Sequence, residues 1–174
     1  FKCRMCGEQL SSSWEAEKKK HNMWSIENQP FMQKDVKKKM TSFQTEVVEP
    51  EFREAISKGI VEEIYWVGGE PLMYDIHWWA LEEMVKNDSA KNCYLRYNSN
   101  LSRTELKGKK LFDYLPQFKD WLMCASIDGT GEIVEFIRKG IVWEQWLENF
   151  KEGLAAPGGK DKMLFDLTIT GPGM

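Results

Sequence analysis

The chain has 174 residues, enough for one domain with a real core and hardly enough for two. Apolar residues make up 42% and charged residues 29%, the mix of a soluble globular chain, and a formal charge of −3 with acids and bases interspersed gives no electrostatic case for nucleic acid. No apolar run approaches the roughly 18 residues of a membrane helix, no secretory signal is visible, and four cysteines are too few for a disulfide scaffold, so a reducing cytoplasm is expected.

Residues 1–48 carry no lasting apolar stripe and read as a long loop with one or two short helices. The clusters Lys18–Lys20 and Lys37–Lys39 read as solvated faces. Pro50 suits the first turn of a helix, Phe52, Ala55, Ile56 and Ile60 follow at helical spacing, and Gly59 is placed to end it. A strand over Glu63–Val67 comes next. Its apolar, β-branched and aromatic run, Ile64-Tyr65-Trp66-Val67, predicts burial on both faces before it stops at Gly68-Gly69-Glu70-Pro71. Tyr74, Trp78, Leu81 and Val85 are spaced four, three and four apart, one face of a helix, with His77 flanking it as a packing or surface histidine.

Cys93–Tyr97 reads as a strand ending in Asn98-Ser99-Asn100. A helix is predicted from Arg103 to about Tyr114, broken by Gly108 and stopped by Pro116. Trp121–Ile127 is another buried strand, ending at Asp128-Gly129. Ile133, Phe136 and Ile137 mark a short helix closed by Gly140, and Trp143, Trp146, Leu147, Phe150 and Leu154 mark a second on the same connection. After a loop at Ala156-Pro157-Gly158-Gly159, Met163–Ile169 is the last strand. This alternation implies an α/β fold with parallel strands joined by right-handed crossovers. A complete eight-unit barrel takes about 250 residues, so four strands imply a partial barrel, an open sheet or a piece of either. The chain opens at Phe1 without a methionine and closes soon after an apolar run, which reads as a fragment of a longer protein.

In a parallel sheet, ligands bind at the carboxyl edge of the strands. The three strand ends, Gly68-Gly69-Glu70, Asn98-Ser99-Asn100 and Ser126 with Asp128-Gly129, converge there into a polar pocket. Paired glycines admit a ligand where a Cβ would block it, and a fixed carboxylate suits an ammonium or a hydroxyl. Each signal alone also fits a tight turn with a solvated acid. Cys3-Arg4-Met5-Cys6 is the other candidate: two thiolates three apart can grip one metal, belong to an iron–sulfur cluster, or form a redox disulfide. A zinc site needs a second pair, and Cys93 and Cys124 read instead as buried strand cysteines. His21, in a Lys-rich loop, reads as solvated rather than as an extra ligand.

Cys3-x-x-Cys6 followed at this distance by a strand closing on Gly68-Gly69-Glu70-Pro71 resembles the radical S-adenosylmethionine (radical SAM) superfamily, over essentially the whole chain. That resemblance implies a partial (β/α)6 TIM-like barrel, incomplete here, with residues 1–174 as one core domain. The family's Cys-x3-Cys-x2-Cys loop implies a first cluster cysteine just upstream of Phe1, with the first strand. Ser126-Ile127-Asp128-Gly129 and Ile137-Arg138-Lys139-Gly140 look like the branch with SPASM or twitch extensions, which would follow this stretch. Cys3 and Cys6 would ligate a [4Fe–4S] cluster with one open iron that S-adenosylmethionine chelates. Gly68, Gly69 and Glu70 resemble the motif that holds the cofactor's amino group, and Asn98 or Asn100 would lie near the ribose hydroxyls. Ser126 resembles a strand-end cofactor contact, and Arg138 resembles the arginine that pairs with the cofactor's carboxylate; Asp128 is a further candidate or a cap. The implied chemistry is reductive cleavage to methionine and a 5′-deoxyadenosyl radical, which abstracts hydrogen from a peptide or small-molecule substrate. A flavodoxin or ferredoxin would donate the electron, with no nucleic acid or membrane involved, and the fragment alone would be inactive. Two other readings stand beside it: a non-catalytic cluster- or nucleotide-binding relative, and a small zinc or thiol-redox module.

Overall fold

The computed structural model describes residues 2–4, 6, 12–23, 33–169 and 171. Readings that rest on Phe1, Met5, Gly7, Ser11, Thr170 or residues 172–174 lie outside them. A two-residue strand β1 (Lys2–Cys3) and helix α1 (Ser12–Lys20) come first. Then α2 (Lys34–Phe43) runs through a widened π turn (Gln44–Val48) into α3 (Glu49–Ser57) without leaving helical dihedrals. The helix therefore begins well before Pro50, and α1 and α2 are short helices of the kind expected within residues 1–48. Neither α2 nor the π turn buries a single residue: Val36, Met40, Phe43 and Val47 recur at helical spacing, but Met40, Phe43 and Val47 stay exposed. Pro50 cannot donate to the preceding turn and its ring crowds the carbonyl there, a conflict that π widening relieves. Gly59 closes α3 as expected: its φ is +66°, its N–H donates to Ile56 O, and Ile60 N–H donates to Ala55 O.

The alternation continues with β2 (Glu63–Trp66), α4 (Asp75–Lys86) and β3 (Tyr94–Ser99). The predicted helix from Arg103 is not formed. Instead β4 (Glu105–Leu106) and β5 (Lys109–Lys110) make a hairpin whose two turn residues, Lys107 and Gly108, have φ of +53° and +80°. Positive φ at both central positions is the turn whose twist matches paired strands, and Gly108 supplies the freedom for it. Only α5 (Leu111–Tyr114) remains helical there. β6 (Asp120–Ile127), α6 (Gly131–Ile137), β7 (Arg138–Lys139), α7 (Trp143–Ala155), α8 (Gly159–Lys162) and β8 (Met163–Leu167) complete the order.

β2, β3, β6 and β8 form one parallel sheet in that order, part of a TIM-like barrel that is not closed. Successive side chains leave a strand on opposite faces. On one face Ile64, Leu95, Tyr97, Trp121, Met123, Ala125 and Ile127 are buried under Trp78, Leu81, Met84, Val134, Trp146 and Phe150 of the helices. The other face is open: Tyr65 is 46% and Val67 57% exposed, and Asn98, Cys124 and Ser126 are half-buried. Burial of β2 on both faces is thus corrected, because one helix layer covers one side only. Cys124 is likewise no core cysteine; it lies on the open face, whereas Cys93 is fully buried and its thiol is pushed up to about 11 by burial. His77 is a packing histidine, edge-on to Trp66, Trp78 and Tyr97, with Nε2 3.0 Å from the Tyr97 hydroxyl.

Candidate functional site at the carboxyl edge of the sheet

The turn after β2 places Glu70 under the ends of β2 and β3. Gly68 has φ of +115°, and a Cβ built on it meets nothing within 4 Å, so the turn is open to an incoming group. Glu70 itself points inward and is only 4% exposed. Its Oε1 accepts from Leu72 N–H at 3.2 Å and Ser99 Oγ at 2.8 Å, and its Oε2 accepts from Asn100 N–H at 2.9 Å. Burial pushes this carboxyl above its ordinary range, against the pull of those three hydrogen bonds and of the Arg138 charge. Glu70 therefore staples β2 to β3, and the main chain of Gly68 and Gly69 is what the edge presents beside it.

Asn98 and Asn100 have different situations. The Asn100 side chain accepts from Ser102 N–H at 2.9 Å and shapes the turn after β3. Asn98 lies on the open face, donating through Nδ2 to Asp166 Oδ2 at 3.3 Å, and Ser126 Oγ donates to the same oxygen at 3.1 Å. Asp166 went unmarked in the sequence reading. Its signal was one acid inside the apolar run Met163–Ile169, at a position whose importance depends on the β6–β8 register, Ser126 opposite Asp166.

Arg138 and Asp128 form a two-point ion pair, Nε to Oδ2 at 2.5 Å and Nη2 to Oδ1 at 3.0 Å, with Asp128 buried. Burial opposes the charge on Arg138, yet the hydrogen bonds and charge of Asp128, with Cys3 and Cys6 adding, hold its pKa above the ordinary value. Asp128 uses the Nε–Nη2 side of the guanidinium and leaves the Nη1 side uncommitted among the described residues.

The cysteine stretch is docked on this pair. β1 runs antiparallel to β7 with Cys3 opposite Arg138, a ribbon that no periodicity in the sequence announces. Arg4 N–H donates to Ile137 O and Arg4 Nε to Phe136 O, both at 2.7 Å, while the guanidinium lies 4.4 Å from the Phe136 ring centre. Trp14 Nε1 donates to Cys3 O at 2.8 Å, and Cys6 N–H donates to Cys3 O at 3.1 Å, a tight turn that holds the two half-buried thiols together. Burial raises the Cys6 thiol, the Cys3 thiol raises it further, and the Arg138 charge draws it down. The charge of Arg138 is thus felt at Cys6 and at Glu70 alike, and the β1–β7 pairing sets Cys3 opposite it.

Two soft thiolates in one turn suit a thiophilic metal centre, and the open Gly68 suits a ligand beside it, so these residues fit an iron–sulfur cluster with a bound small molecule. Among the described residues no group of three His, Cys, Asp or Glu stands ready to hold a metal, so the pair supplies part of a ligand set. His21 is exposed in the turn after α1. No described helix is long and apolar enough to cross a membrane.

A family model described as the Radical SAM superfamily matches residues 1–173. The curated proteins and the solved structures give no match.

Proposed function

The chain belongs to the Radical SAM superfamily, and from that premise we propose that it is the core of an enzyme that cleaves S-adenosylmethionine reductively on a [4Fe–4S] cluster to generate a 5′-deoxyadenosyl radical. When bound, these cofactors supply an electron and a carbon radical able to take hydrogen from an unactivated substrate; the rest is the protein's work. Cys3 and Cys6 supply two cluster ligands from a turn fixed by Trp14 and by the β1–β7 ribbon. The Gly68-Gly69 main chain receives the cofactor's amino group, with Glu70 fixing that turn from beneath. Arg138, oriented by Asp128, offers its uncommitted side to the cofactor's carboxylate, and Asn98 and Ser126 line the open face next to it. The observation that carries the reading is the β1–β7 pairing that sets Cys3, with Cys6 turned back onto its carbonyl, opposite the Asp128-bound Arg138.

The Ser126-Ile127-Asp128-Gly129 and Ile137-Arg138-Lys139-Gly140 segments support placing the chain in the branch with SPASM or twitch extensions, with peptide modification as its reaction class. A flavodoxin or ferredoxin in a reducing cytoplasm would be the electron donor. Anaerobic reconstitution of the full-length protein with iron and sulfide, then dithionite and S-adenosylmethionine, should yield 5′-deoxyadenosine, and Cys3→Ala should abolish it. A loaded cluster that yields none sinks the proposal. A preparation that binds zinc in place of the cluster favours the zinc reading.

A further inference from the structure

Helix α2 has ten residues and packs none of them away, so it is carried by its continuation into α3 and by Lys37, which pairs with Glu15 of α1. Met40, Phe43 and Val47, three and four apart, share one face and are 59%, 60% and 37% exposed. A short stripe of large apolar side chains left open among charges has the make-up of a contact surface, an apolar centre inside a polar rim. The charge around it has one sign. α1 and α2 carry seven lysines against three acids, in a chain whose net charge is −3. Lys34, Lys38 and Lys39 are exposed and meet no acid among the described residues, whereas Lys58 is tied to Glu54 and Lys151 to Glu148. A second copy would bring like charges to the same face, so the complementary occupant is acidic. The face also has a fixed place. Trp14 of α1 donates to Cys3 O at 2.8 Å, and Glu15 beside it accepts from Lys37 of α2. Two hydrogen bonds thus tie this face to the cysteine turn, the point where the proposed chemistry takes in its electron.

We propose that the α1–α2 face is the docking surface for an acidic one-electron donor protein, whose acids meet the lysines and whose apolar contact meets Met40, Phe43 and Val47. This rests on the cofactor reading above. One electron passes: the donor is oxidised by one electron and the cluster held by Cys3 and Cys6 is reduced by one, with no bond made or broken. A donor must leave again after each delivery. Brief encounters of that kind use a small interface and steering by charge, which suits a three-residue stripe rimmed by lysines.

The test is calorimetric binding of an acidic flavodoxin, and in a second series an acidic ferredoxin, to the reconstituted full-length protein. Cluster reduction by the same reduced donors and by dithionite is followed alongside. The wild type should bind a donor, and about 10-fold more weakly when salt rises from about 50 to about 300 mM. Lys38→Glu combined with Lys39→Glu should bind about 10-fold more weakly at low salt and lose most of that salt dependence. Phe43→Ala should also weaken binding about 10-fold but keep the salt dependence. Iron content, melting temperature and reduction by dithionite should stay at wild-type values in all variants, because a small reductant has no use for the face. Variants that bind the donors and are reduced by them as the wild type is overturn the inference. So does a wild type that binds neither donor, and one that binds phosphatidylglycerol vesicles instead assigns the face to lipid. A loaded wild type that gives no 5′-deoxyadenosine even with dithionite overturns the cofactor reading, a result separate from donor binding.

Discussion

Replacing Glu70 with alanine isolates the tie between β2 and β3. The carboxylate is 4% exposed and accepts from Leu72 N–H, Ser99 Oγ and Asn100 N–H. Its loss leaves two main-chain N–H groups without their acceptors, at about 1–3 kcal/mol each when buried. Relief of the buried carboxylate's own desolvation offsets part of that, and a net loss of roughly 2–4 kcal/mol is expected. For a domain of this size that lowers the melting temperature by roughly 5–15 °C. Urea denaturation followed by circular dichroism measures the loss, and a cycle with Ser99→Ala should return a coupling of about 1 kcal/mol. Glu70→Gln should cost less, because it keeps an acceptor for Leu72 and Ser99 but turns an amino group toward Asn100 N–H. The reasoning is refuted if Glu70→Ala denatures within about 0.5 kcal/mol of wild type, the range of an ordinary surface change. Glu70 would then be a solvated acid rather than a staple.

Three further outcomes are expected. Burial depresses the His77 imidazole from its usual 6.5 to about 3, so between those values the unfolded chain binds the proton and the folded chain does not. Stability from His77 is then complete above about pH 6.5 and falls with acid by about 1.4 kcal/mol per pH unit, roughly 2 kcal/mol by pH 5. A His77→Phe, Tyr97→Phe double variant, which removes both partners of the 3.0 Å contact, should lack that slope in denaturant midpoints taken from pH 7 to pH 4.5; an unchanged slope contradicts it. Asp128→Asn strips Arg138 of its counter-ion inside the fold and should cost roughly 2–4 kcal/mol, somewhat below a fully buried pair because Arg138 keeps some exposure. It should also lower iron uptake, since β7 carries the cysteine ribbon; native stability with normal iron uptake would exclude this role. Asp88 ends α4 at φ of +63°, where glycine is at ease. Asp88→Gly should therefore raise stability by up to about 1 kcal/mol in thermal denaturation, and a loss of 1 kcal/mol or more would refute the strain.

The four strands of the main sheet and the helices α4, α6 and α7 were readable because each repeats its own period against one buried side. Trp78 and Leu81 share a helix face, and Trp121, Met123, Ala125 and Ile127 alternate along a strand. In α2 and its π turn Val36, Met40, Phe43 and Val47 also recur at helical spacing, but they are interrupted by lysines and bury nothing, so the stripe pointed to no core and the run of helix into Pro50 was not read. The hairpin at Lys107-Gly108 was missed because a helical count of apolar residues cannot detect two consecutive positive φ angles. The Gly68-Gly69-Glu70 turn, the Cys3–Cys6 pair and Arg138 were all visible as residue types at telling positions.

What those residues touch was decided only in three dimensions. Glu70 turns inward because Ser99 and Asn100, about thirty residues on, bring donors to it across the β2–β3 pairing. Asn98 faces the open side, whereas Asn100 closes a turn. Cys3 lies opposite Arg138 because β1 pairs with a strand more than a hundred residues away, and Asp166 meets Ser126 through strand register. Local sequence sets propensity and period within a few residues. Register, by contrast, is set by the packing of the whole helix layer on one sheet face, and a shift of one residue would send every one of these side chains to the other side.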